Sequence, residues 1–160
     1  MIRNVTPEDA EAIAGIYNYY VTKTIITFET EIVSAAEMRE RITTLSAHYP
    51  YFVYEMDGRV TGYCYAALWK KRHAYHTTVE STIYVEPGSR NKGIGRALMQ
   101  RLIEALKPLP VHAVIACISI PNPESIRLHE TFGFEKVSHF REVGWKFDIW
   151  VDVGDWELLL

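Results

Sequence analysis

Apolar residues recur along the chain in two rhythms, a helical one and an alternating one, and the switches between them mark out the elements. Ile2 to Val5 is a short apolar start that predicts an edge strand. Thr6-Pro7-Glu8-Asp9 then has the form of a helix start: a hydroxyl to cap it, a proline in the first turn, and two acids facing the positive end of the dipole. Ala10, Ile13, Ile16, Tyr17 and Tyr20 follow at helical spacing. The period is lost from Thr22 to Glu31, which predicts a loop. Ser34-Ala35-Ala36-Glu37 has capping-box spacing and opens a second helix with Met38, Ile42 and Leu45 on one face.

The middle of the chain turns to strands. Tyr51 to Glu55 and Val60 to about Leu68 flank Asp57-Gly58, a hairpin signal. A basic stretch, Trp69-Lys70-Lys71-Arg72-His73-Ala74-Tyr75, separates them from a β-branched strand at Thr77 to Val85. Pro87 to Lys92 is a loop. A helix runs from Gly93 to about Leu106, with Ile94, Leu98, Leu102 and Leu106 on its apolar face and Pro108 as its stop. Val111 to Ile118 is almost wholly apolar, which predicts a strand buried on both faces. Asn122-Pro123 opens a helix that ends near Thr131, with Gly133 as a left-handed cap. Phe134 to Glu142 and Trp145 to Trp156 predict a closing antiparallel pair. The order β-α-α-β-β-β-α-β-α-β-β predicts a single α+β domain over residues 1–160.

Composition narrows the class. The 160 residues are 48% hydrophobic and 23% charged, the balance of a globular chain. Seventeen basic against twenty acidic residues give a net charge of −3, which points away from nucleic acid as a partner. Cys64 and Cys117 both lie in apolar runs and predict reduced core thiols; they lack metal-ligand spacing, and no metal is expected. No apolar stretch approaches the roughly 20 residues that span a bilayer, and the first residues carry no apolar leader. A cytoplasmic protein with no membrane partner is the expectation.

The sharpest chemistry lies at Arg90-Asn91-Lys92-Gly93-Ile94-Gly95-Arg96, between a strand and an amphipathic helix. Two glycines one residue apart let the backbone turn tightly and come close to a ligand. The free N–H groups of the helix start, with its dipole, suit a pyrophosphate, and Arg90, Lys92 and Arg96 add positive charge. No Lys-Ser or Lys-Thr follows as in a P-loop. The third glycine of a dinucleotide fold is also missing.

Arg90-Asn91-Lys92-Gly93-Ile94-Gly95 fits the Gln/Arg-x-x-Gly-x-Gly/Ala segment of the GCN5-related N-acetyltransferases, and Thr77 to Gly95 resembles their core. Asn122 to Phe134 resembles their second signature, a helix ending in Gly-Phe. A narrower resemblance, to phosphinothricin acetyltransferases, rests on Phe28-Glu29-Thr30-Glu31, Trp69 to Tyr75, Glu80 to Val85, Arg127-Leu128-His129-Glu130 and Asp152-Val153-Gly154-Asp155-Trp156. It runs over nearly the whole chain, with His73 standing where Asn is expected. The resemblance implies a GNAT-like fold, a central mixed and mostly antiparallel sheet flanked by helices. It also implies acetyl-CoA as co-substrate and direct acetyl transfer to the α-amine of a small amino acid or analogue, such as phosphinothricin, methionine sulfoximine or methionine sulfone. A homodimer is implied as well.

The resemblance also distributes roles. Alternation puts Glu80 on the face opposite Val79, Ile83 and Val85, where a carboxylate is either solvated or, partly dried, raised in pKa; the resemblance assigns it to deprotonating the amine. His129 takes the place of a Tyr that protonates the coenzyme thiolate, and suits either that acid or a base assisting Glu80. Ile83, Tyr84 and Val85 offer backbone groups to the pantetheine arm and a donor to the thioester oxygen. Arg90, Asn91, Lys92, Gly93, Ile94, Gly95 and Arg96 hold the pyrophosphate. Asn122 is a helix cap, a cofactor contact, or both. Phe28, Thr30, Arg72, His73 and Tyr75 are the substrate-side candidates, Arg72 as a fork for a carboxylate. Other readings stay open: the same fold acting on protein N-termini or polyamines, or a non-catalytic CoA-binding module. The basic Lys70-Lys71-Arg72 run disfavours a polycation, and Glu80 together with His129 favours turnover.

Overall fold

The strands are Ile2–Asn4 (β1), Tyr51–Met56 (β2), Arg59–Leu68 (β3), Thr78–Val85 (β4), Ala113–Ile120 (β5), Glu135–Lys136 (β6), Phe140–Lys146 (β7) and Ile149–Leu159 (β8). The helices are Ala10–Lys23 (α1), Ala35–Ser46 (α2), Ile94–Leu106 (α3) and Pro123–Thr131 (α4). They come from a computed structural model that describes residues 1–160. One sheet takes the order β1-β2-β3-β4-β5-β8-β6, with β7 also paired to β8. Every neighbouring pair is antiparallel except β4 and β5. This is the expected α+β fold, and β1 is the expected edge.

Alternation along the strands feeds two cores. On one face Cys64, Ala66, Val114, Ala116, Ile118 and Trp156 pack with Leu98, Leu102 and Leu106 of α3. On the other, Val53 and Tyr63 pack with Ile13, Tyr17 and Val21 of α1 and Met38 and Ile42 of α2. The α3 residues recur every fourth position, so one stripe of the helix lies against the sheet. Cys64 is the buried thiol the sequence predicts, pushed up to about 12 by burial.

The helix starts are built as the sequence suggests, with one change. Asp9 accepts from the Thr6 N–H at 2.8 Å and is clamped by Arg3 at 2.8 Å, while a 3₁₀ turn over Pro7–Asp9 leads into α1. Ser34 Oγ accepts from the Glu37 N–H at 3.1 Å, but the Glu37 carboxylate turns to Arg41 at 2.6 Å, so only half of that capping box forms.

Three expectations need correction. First, α1 continues through Thr22 to Lys23 because Thr22 Oγ1 donates back to the Asn18 carbonyl; the loop starts at Thr24, whose backbone is extended. Second, Cys117 is exposed, although Ala113 to Ala116 beside it are buried. Its face of β5 opens into a cavity at this one residue, while Ala113, Ile115 and Ser119 on the same face are buried, so the strand is covered on both sides as expected apart from Cys117.

Third, the closing strands turn at Phe147-Asp148, both left-handed (φ 53° and 58°), with Trp145 opposite Trp150. Gly144, which falls between the two expected strands, lies inside β7. Of the three late tryptophans Trp156 is core, while Trp145 and Trp150 face solvent with their ring centroids 4.6 Å apart.

Candidate active site

The feature that makes the site is the single parallel pairing. β4 and β5 are laddered only at Thr78–Ala113, Val79–Val114 and Glu80–Ile115. Beyond Glu80 they part, although β4 continues to Val85 and β5 to Ile120. Two cavities of about 310 and 300 Å³ lie at this gap and share Ile26, Ile83, Tyr84, Asn122 and Ser125 as a common border.

The second cavity is walled by Arg90, Asn91, Gly93, Ile94, Gly95 and Arg96. Gly93 caps α3 in the left-handed region (φ 77°), a conformation that costs a side chain about 1 kcal/mol or more. A Cβ on Gly95 would make ordinary contact with Leu128 at 3.5 Å and Val85 at 3.8 Å, and one on Gly93 would meet open space. The opening N–H groups of α3 have no intrahelical partner, which makes the rim an anion site. Ile83, Val85 and Asn122 line it as expected, and Asn122 Oδ1 also accepts from the Ser125 N–H at 3.3 Å, so it is a cap as well. Lys92 stands on the loop but outside this wall.

Tyr20 is a wall residue that helical spacing marks only as core. Its hydroxyl donates to the Val85 carbonyl at 2.5 Å and receives Arg90 at 3.3 Å, tying α1 to the end of β4. Glu124, Arg127 and Leu128 of α4 complete that side. These residues lie within the second signature, though the sequence gives them no separate role.

The first cavity holds Glu80 and His129 together. Glu80 follows the predicted alternation and is half-buried; burial first, then the charge of Asp155, raises its pKa. His129 is buried on α4, edge-on to Phe134. Its Nδ1 lies 2.8 Å from the Ser125 carbonyl, which only accepts, so Nδ1 carries the proton. Burial lowers the pKa against the pull of that carbonyl, leaving a neutral ring with a bare, unpartnered Nε2. Such a nitrogen takes a proton rather than giving one.

Tyr65, Tyr84, Cys117 and Ser119 also line this cavity. Cys117 faces Asp155 across the β5–β8 ladder. Burial, then the charges of Glu80 and Asp155, push its thiol up to about 12, so it stays protonated at neutral pH.

Among the substrate-side candidates the structure brings only Phe28 to the cavity. Thr30 is exposed on the same loop, and Arg72, His73 and Tyr75 lie on a separate 3₁₀ turn, away from both cavities. There Tyr75 packs edge-on to Trp69, with Lys70 over the Trp69 ring. One support escaped the sequence altogether. Lys146 of β7, 3% exposed, donates to the Thr27 carbonyl at 2.7 Å and so holds the Phe28 loop from beneath.

Comparison with known proteins agrees with this geometry. The acetyltransferase (GNAT) domain family matches residues 2–153. The chain belongs to the GNAT acetyltransferase family. It is 36% identical over 156 residues to a phosphinothricin N-acetyltransferase of Streptomyces viridochromogenes, covering 98% of this chain and 85% of that protein. It is 34% identical over 163 residues to an L-methionine sulfoximine/L-methionine sulfone acetyltransferase of Salmonella typhimurium, covering 99% and 94%. Among GNAT structures, a phosphinothricin acetyltransferase of Sinorhizobium meliloti in complex with acetyl-CoA superposes with a TM-score of 0.96 at 35% identity, covering 100% of this chain and 88% of the other. This GNAT protein is therefore an N-acetyltransferase, and its gapped sheet is the fold of that family.

Proposed function

We propose that this protein acetylates the α-amine of a small amino acid or analogue, of the phosphinothricin, methionine sulfoximine or methionine sulfone type, by direct transfer from acetyl-CoA. The observation that carries the reading is the meeting of two cavities at the β4–β5 gap, one built for an anion and the other holding Glu80 and His129.

Acetyl-CoA, when bound, supplies an acetyl group activated as a thioester. The residues present fit it. Gly93, Gly95 and the bare amides of α3 suit its diphosphate, with Arg90 and Arg96 adding charge, Asn91 and Ile94 walling the loop, and Lys92 contributing from outside. Ile83, Tyr84 and Val85, past the last ladder pair, offer backbone groups to an amide-bearing arm and an N–H to the acyl oxygen. Asn122 sits where the cavities join.

On the acceptor side Glu80 takes a proton from the ammonium, so that a neutral amine attacks. Its raised pKa narrows the gap between base and amine. His129 Nε2 adds a second acceptor, which fits the assisting-base role better than the acid role. Phe28 forms a wall of the acceptor cavity. Arg72, His73, Tyr75 and Thr30 do not line this cavity.

The same reading makes the protein a cytoplasmic homodimer. Phe140, Val143, Trp145, Phe147, Ile149 and Trp150 are all at least half exposed on one hairpin, an apolar protrusion that suits a second copy. Acetyl-CoA consumption measured over amino acids, the three analogues, polyamines and short peptides tests the activity. Turnover is expected with α-amino acid analogues; turnover with polyamines or peptides alone would overturn it.

A further inference from the structure

Two buried polar atoms at the acceptor cavity have no hydrogen-bond partner in the protein, His129 Nε2 and Ser119 Oγ. The proposed mechanism uses the first. Ser119 has no assigned task, yet it is 5% exposed and lines the cavity. A buried hydroxyl without a partner costs about 1–3 kcal/mol. Its neighbours in β5 are Ile118 and Ile120, so an apolar side chain would suit the fold better.

Position and charge narrow what the hydroxyl meets. Ser119 and Cys117 are successive residues on one face of β5, opposite Val153 and Asp155 of β8. Residues two apart in a strand are about 7 Å apart, close to the length of an unbranched side chain of four or five heavy atoms. Glu80 pairs with Ile115, two residues from Cys117 and four from Ser119, so the amine end lies on the Cys117 side and the far end of the substrate on that of Ser119. No lysine or arginine lines the cavity, while Glu80 lines it and Asp155 stands opposite Cys117. An anionic group beside Ser119 meets negative potential without a compensating cation; a neutral oxygen does not.

We infer that Ser119 is a specificity-determining residue whose hydroxyl donates to an uncharged oxygen at the end of the substrate's side chain, such as a sulfone, sulfoxide or amide oxygen. The enzyme then prefers neutral polar side chains over apolar or anionic ones of equal length. This deepens the amino-acid reading above and rests on it.

The test compares wild type with Ser119→Ala and Ser119→Cys on methionine sulfone, methionine and phosphinothricin, with acetyl-CoA binding by calorimetry as the check on folding. Wild type is expected to favour methionine sulfone. Ser119→Ala raises KM for methionine sulfone about tenfold, the loss of one hydrogen bond, and leaves KM for methionine and the Kd for acetyl-CoA within twofold. Ser119→Cys, a weaker donor, falls between. An equal loss on all three substrates, weaker acetyl-CoA binding, no loss at all, or a wild-type preference for phosphinothricin overturns the inference while leaving α-amine acetylation intact. A wild type that acetylates no amino acid overturns both.

Discussion

The ring of Phe28 rests directly on Gly144, occupying the space that a Cβ there would need. Phe28 walls the acceptor cavity from the α1–α2 loop, and Gly144 lies in β7, so a bare backbone position on one element sets where the wall stands.

Gly144→Ala should therefore displace Phe28. KM for the amine is expected to rise five- to tenfold with the Kd for acetyl-CoA unchanged, and stability to fall by about 1–2 kcal/mol, as in other overpacked sites. Steady-state kinetics of a double-mutant cycle with Phe28→Ala checks this: once the ring is gone, alanine at 144 should have no further effect on KM.

Glu80→Gln should lower kcat by about 10²–10³-fold with little change in acetyl-CoA binding. As the proposed base, Glu80 would work only as a carboxylate, so activity should hold above its raised pKa and fall as pH drops through it. Asp155→Asn removes the neighbouring negative charge, lowers that pKa, and should move the acid limb of kcat/KM to lower pH. A pH–rate profile that stays in place in Asp155→Asn would detach Asp155 from the base.

Gly93→Ala meets open space but a left-handed backbone. It should cost about 1 kcal/mol in stability and weaken acetyl-CoA binding severalfold, whereas Gly93→Asn, a residue that tolerates this region, should recover much of both. Thermal melts and calorimetry read the two effects separately.

Asp9 offers a test of stability alone. Burial opposes its charged form, but the Arg3 and Thr6 hydrogen bonds overcome this and hold its pKa below the usual carboxylate value. Its contribution is complete above the unfolded pKa and is lost as pH falls through the lowered folded one. Asp9→Asn should cost about 2 kcal/mol at neutral pH and flatten the acid side of a stability–pH curve measured by urea unfolding.

Local signals made much of this legible. The spacing of Ile94, Leu98, Leu102 and Leu106 gives α3 and its buried face, and the glycines at 93 and 95 give the anion loop, because each depends on neighbours in sequence. Alternation alone turns Glu80 toward its cavity. What stayed hidden depends on contacts across the fold. Cys117 reads as core until β4 is seen to leave β5; Tyr20 reads as helix filling until its hydroxyl meets Val85; Lys146 reads as solvated until it is found under Thr27. The bounds of the closing strands shifted because their pairing, with Trp145 opposite Trp150, depends on where the turn falls. Arg72, His73 and Tyr75 carry suitable chemistry, but the fold leaves them on an outlying turn.

The three ladder pairs between β4 and β5 have a mechanical meaning. They act, with α3, as a short spine joining two leaves of one book. A molecule lying in the crease touches both leaves at once, and so braces them along the stretch where the ladder stops.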